Sequence, residues 1–118
     1  MGKHLVGVIA MEDMLDELVR GLLSLMRGQI VSIILFGSVA RGTDTPESDI
    51  DIALILRGKI SAETESRLST FTADVGLKYD RLLSVVDIDE DFFLAWKDVI
   101  PFYANVEKEG IVLWKQAA

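Results

Sequence analysis

The chain has 118 residues, half of them apolar, a formal net charge of −7 and no cysteine. That length suits one domain, with a core large enough to need no covalent staples. The missing cysteines exclude disulfides and thiolate metal sites, and the acidity argues against direct nucleic-acid binding by general electrostatics.

In chain order, Leu5 to Met11 form a short apolar run. Glu12 and Asp13 follow at once and no small-residue cleavage pattern is present, so a secretory leader is not expected. No run approaches the roughly 18 apolar residues of a membrane helix, and a cytoplasmic protein with no membrane partner is the expectation. Met11, Met14, Leu15, Leu18, Leu22 and Leu25 recur at helical spacing, with Glu12, Asp13, Asp16, Glu17 and Arg20 opposite. They predict an amphipathic helix that stops near Arg27-Gly28. "IVSIILF", Ile30 to Phe36, reads as a strand buried on both faces. A short helix is expected over Val39–Arg41, then turn chemistry in "GTDTPES".

"DIDIALIL", Asp49 to Leu56, predicts the second strand. Ser61 should cap a helix to about Val75, which Gly76 ends. "YDRLLSVV", Tyr79 to Val86, predicts a third strand. Asp89–Lys97 should be a helix burying Phe92, Phe93 and Trp96. Pro101 suits the first turn of a last helix stopped by Gly110, and Ile111–Trp114 a final strand. Alternating strands and helices argue an α/β (α+β) fold, a sheet with helices packed on it.

Residues two apart on a strand share a face, so Asp49 and Asp51 project together. Their charges repel, and a divalent cation between them relieves this; hard oxygen ligands select Mg²⁺ or Mn²⁺. A lone acidic pair is more often a solvated strand end. Gly37-Ser38 changes that reading, because it follows a strand and opens a helix. Backbone N–H groups at such a turn attract phosphate oxygens, Gly37 permits close approach, and the Ser38 hydroxyl adds a donor. Arg41 lies three residues beyond Ser38, where it would meet phosphate or pair with Asp44, Glu47 or Asp49. Trp96, Trp114, Phe92 and Phe102 read as core or interface, and Met11, Met14 and Met26 as core fillers.

Gly37-Ser38, ten residues and then Asp49-Ile50-Asp51 resembles the signature of the polymerase-β-like nucleotidyltransferase superfamily. "LFGSVARG", "PESDIDIALIL", "YDRLLSVVDIDEDFF" and "PFYANVEKEGIVL" look like its minimal nucleotidyltransferases, often the antitoxin partner of a helical HEPN-type ribonuclease toxin. The resemblance covers most of Ile30 to Leu113. It implies a mixed sheet with helices on it, and transfer of a nucleoside monophosphate, AMP from ATP, to a hydroxyl on a partner protein. It implies two Mg²⁺ or Mn²⁺ ions on Asp49 and Asp51, the second also touching a third carboxylate on the neighbouring strand. Asp80 and Asp87 are the candidates for that catalytic, metal-binding position. Asp87 precedes Glu90 by three residues, a capping-box spacing, which leaves Asp80 favoured. The runner-up function is a binding module that neutralises a toxin by contact alone. The wide apolar stripe of the first helix and the aromatic C-terminal segment point to a partner or homo-oligomer contact.

Overall fold

The computed structural model describes the backbone of residues 2–117 and the side chains of residues 10–117. The elements follow the expected order: α1 (Gly2–Leu25), β1 (Ile30–Phe36), α2 (Gly37–Arg41), β2 (Ile50–Leu56), α3 (Ala62–Tyr79), β3 (Leu83–Asp89), α4 (Glu90–Trp96), α5 (Pro101–Glu109) and β4 (Ile111–Lys115). The strands make one mixed sheet in the order β3-β2-β1-β4. β1 runs antiparallel to β2 and β4, while β2 and β3 are parallel, joined by the α3 crossover.

The two central strands are nearly continuous apolar runs because both faces of the sheet are covered. On one face Ile33, Leu35, Ile50, Ile52, Leu54 and Leu56 pack with Met14, Leu18 and Leu22 of α1 and Leu68 and Val75 of α3. On the other, Ile34, Ala53, Ile55 and Ile88 pack with Phe93 of α4 and Val106 of α5. Ser61 caps α3 as expected, its hydroxyl accepting from the Thr64 N–H at 3.1 Å. Among the described residues no helix is long and apolar enough to cross a membrane.

Several boundaries differ from the sequence reading. α1 begins at Gly2 rather than near Met11. α3 passes through Gly76 and ends at Tyr79, closed by Asp80 in the left-handed conformation (φ 52°, ψ 46°). The glycine serves a different purpose: a Cβ there would lie 2.7 Å from the Arg81 carbonyl, where the chain folds back over the last turn. β3 therefore starts at Leu83, not Tyr79. The cap of α4 is Asp89, whose carboxylate accepts from the Phe92 N–H at 3.2 Å, so the capping role read for Asp87 belongs to Asp89. Of the three rings expected inside, only Phe93 is buried. Phe92 and Trp96, four residues apart, share a stripe turned outward and are 46% and 44% exposed. Phe102 is also substantially exposed, while Trp114 packs partly buried against the α1/α3 side.

Candidate active site

β1 passes into α2 at Gly37, whose φ of 76° lies in the region that disfavours a side chain. Phe36, at the N-cap, offers no side-chain acceptor to the first-turn N–H groups. Those donors are left for solvent or an anion. The Thr43 N–H donates to the Ser38 carbonyl at 3.0 Å, folding the following segment back over α2.

β2 begins beside this turn. Phe36 stands directly opposite Asp51 in the antiparallel ladder. A Cβ added to Gly37 would lie 2.3 Å from Asp51 Oδ2. The glycine is thus required twice, by its torsion angle and by the carboxylate against it. Asp49 precedes the strand and is exposed, while Asp51 is partly buried. Burial pushes the Asp51 carboxyl above its ordinary value, the charge of Asp49 pushes it the same way, and Arg41 pulls it back. Two hard-oxygen groups on one face match the donor chemistry of Mg²⁺ or Mn²⁺. Such an ion would offset the repulsion between the two carboxylates.

Arg41 pairs with none of its three expected partners. Its Nη1 lies 3.6 Å from Glu109 Oε2, at the end of α5. Both side chains are about half exposed, so the pair orients the guanidinium more than it stabilises the fold. No local spacing could have announced Glu109, because the contact is made by α5 crossing beside α2. Arg81 is a second residue outside the sequence reading. Its Nη2 donates to the Ser48 carbonyl at 3.0 Å and ties the approach to β3 to the residue before Asp49.

Gly37, Ser38, Asp49 and Asp51 are thus brought together, with Arg41 at their edge. Asp80 lies outside the sheet, as the exposed C-cap of α3. Asp87 lies within β3 opposite Leu54, on the sheet face that packs against α1 and α3, and its side chain is exposed. The residue facing Asp51 across the parallel ladder is Ser84. Among the described residues no three carboxylate or imidazole side chains gather to hold a metal ion.

The model of the family described as polymerase beta, nucleotidyltransferase, matches residues 23–117. A candidate protein adenylyltransferase of Methanocaldococcus jannaschii is 38% identical over 106 residues, which are 87% of this chain and 97% of that protein. A solved toxin–antitoxin structure with AMP-PNP superposes with a TM-score of 0.57 at 23% identity, over 84% of this chain and 72% of that one. A candidate nucleotidyltransferase from Sulfolobus solfataricus superposes at 0.55 and 22% identity, over 98% and 93%. At these identities the structural likeness is one of fold.

Proposed function

This chain belongs to the polymerase beta nucleotidyltransferase family, and we propose that it moves AMP from ATP to a hydroxyl group of a partner protein. The observation that carries the reading is the contact between the Gly37 turn and the Asp51 carboxylate. It sets an uncapped helix start and an acid pair within reach of one triphosphate. The name of the Methanocaldococcus relative supports AMP and a protein acceptor.

In this reading Gly37 and Ser38 receive the β- and γ-phosphates on backbone N–H groups and the Ser38 hydroxyl. Arg41, steadied by Glu109, adds positive charge at the same edge. Asp49 and Asp51 hold a divalent cation, Mg²⁺ or Mn²⁺, which when bound neutralises charge on the phosphates and the leaving group. The acceptor oxygen attacks the α-phosphorus, the bond to the β-phosphate oxygen breaks, and pyrophosphate leaves. The acceptor's proton passes to a carboxylate, for which Asp49 is the more accessible of the pair. Positioning and charge neutralisation supply most of the acceleration. We propose a helical HEPN-type toxin as the acceptor, so that the protein acts as an antitoxin in the cytoplasm.

Calorimetry with AMP-PNP and Mg²⁺ tests the site. Wild type should bind, and Asp49→Asn/Asp51→Asn should not. Ser38→Ala should weaken binding by about 1.5–3 kcal/mol, the worth of one hydrogen bond to a charged group. Equal binding by the double variant would remove the acid pair from the site.

The exposed side chains of α4 and the segment after it, Leu94, Trp96 and Val99 among them, favour a second reading in which contact alone neutralises a partner. Full neutralisation by the Asp49→Asn/Asp51→Asn variant would select it.

A further inference from the structure

We infer that the acid pair has no third carboxylate from β3, so that the site holds one divalent cation where a three-acid site would hold two. The inference rests on the nucleotidyltransferase reading above and names the metal content of that same site.

The parallel ladder decides which β3 positions face the pair. Asp51 is level with Ser84. One step earlier the Ile50 N–H donates to the Leu82 carbonyl at 2.8 Å, which sets Leu82 beside Asp49. Val86 and Ile88 continue this row of β3 and pack with Ala53 and Ile55 toward α4 and α5, the face from which Asp51 projects. Leu83 and Val85 take the opposite face, with α1 and α3. Side chains alternate along a strand, so Ser84 of β3 and Leu82, just before it, are the positions that could complete the pair. One is apolar and 67% exposed; the other is a neutral hydroxyl.

None of the acids of β3 and the segments around it stands on that row. Asp87 alternates onto the wrong face. Asp89 uses Oδ1 to accept from the Gly58 N–H at 3.1 Å and Oδ2 to accept from Phe92 at 3.2 Å. Asp80 closes α3 in the left-handed conformation, before the chain becomes extended. Glu109 is paired with Arg41. Two carboxylates and a triphosphate satisfy one octahedral ion, whereas a second ion on the acceptor side needs ligands of its own.

The test counts Mn²⁺ by electron paramagnetic resonance, with AMP-PNP saturating. One nucleotide-dependent ion per chain is expected for wild type and for Asp80→Asn. Leu82→Asp, a surface change, should admit a second ion, and Ser84→Asp is the companion variant should the first perturb the strand. Two ions in wild type, falling to one in Asp80→Asn, would overturn the inference and restore Asp80 as the third ligand. A second ion in neither Asp variant would overturn the assignment of Leu82 and Ser84 as the vacant ligand positions. Failure of wild type to bind AMP-PNP at all would instead overturn the nucleotidyltransferase reading on which the inference rests.

Discussion

Gly37 and Asp80 both have positive φ, and they carry opposite predictions. Gly37→Ala introduces a Cβ against Asp51 Oδ2 and strains the backbone. It should cost about 1–3 kcal/mol in urea unfolding and abolish AMP-PNP binding. Asp80→Gly relieves an L-residue of a left-handed conformation, so denaturation should show a gain of about 0.5–1 kcal/mol with nucleotide binding kept. The same pair marks what the sequence made legible at this scale. Gly37 was readable because a Gly-Ser step after a β-branched run has a local meaning. Asp80 was not, since its backbone conformation is set by the turn that returns the chain over Gly76. That turn displaced β3 by four residues from its expected start and took Asp80 out of the strand.

Elements meet through residues whose role only the packing reveals. Gly21 sits inside α1, where glycine costs roughly 1 kcal/mol relative to alanine. A Cβ there would lie 2.0 Å from the Phe71 ring of α3, so the glycine is the seat of that ring. Gly21→Val should therefore destabilise by about 1–3 kcal/mol through overpacking. Phe71→Leu in the same chain should restore part of the loss, measured by thermal unfolding of the single and double variants. Beside this crossing Lys78 Nζ donates to Glu17 Oε1 at 2.6 Å, and the Tyr79 hydroxyl donates to the same oxygen at 3.2 Å. The Lys78 hydrogen bond holds the Glu17 carboxyl below its ordinary value. A depressed carboxylate stabilises the fold above its unfolded value and loses that contribution as pH falls through the folded one. Thermal midpoints across the acid range should show this small component in wild type and not in Lys78→Met. Helical spacing disclosed the α1 stripe, and Met14, Leu18 and Leu22 are buried as expected. Spacing along one helix carries no information about which ring of another helix it must admit.

At the scale of the whole molecule the element order, the mixed sheet and both central strands were legible, because continuous β-branched runs between turn signals have few other uses. Which residues a crossing brings together was less so. Arg41 finds Glu109 on α5 rather than an acid of its own loop. Phe92 and Trp96 lie outside because α4, seven residues long, turns only one ring, Phe93, to the sheet, and Phe102 at the start of α5 is exposed as well. The exposed rings continue the cluster that starts at Phe36, which meets Phe102 edge-to-face at 5.4 Å beside the Gly37 turn. Exposed aromatic surface thus reaches the Gly37 turn, beside the proposed site of transfer. The most direct test of the central claim incubates the protein and Mg²⁺ with a cell extract and ATP labelled at either the α- or the γ-phosphate. The account predicts α-label, and no γ-label, on an acceptor protein, with loss of that label in Asp49→Asn/Asp51→Asn. Transfer of γ-label that this double variant abolishes, or α-label undiminished in it, would contradict the account.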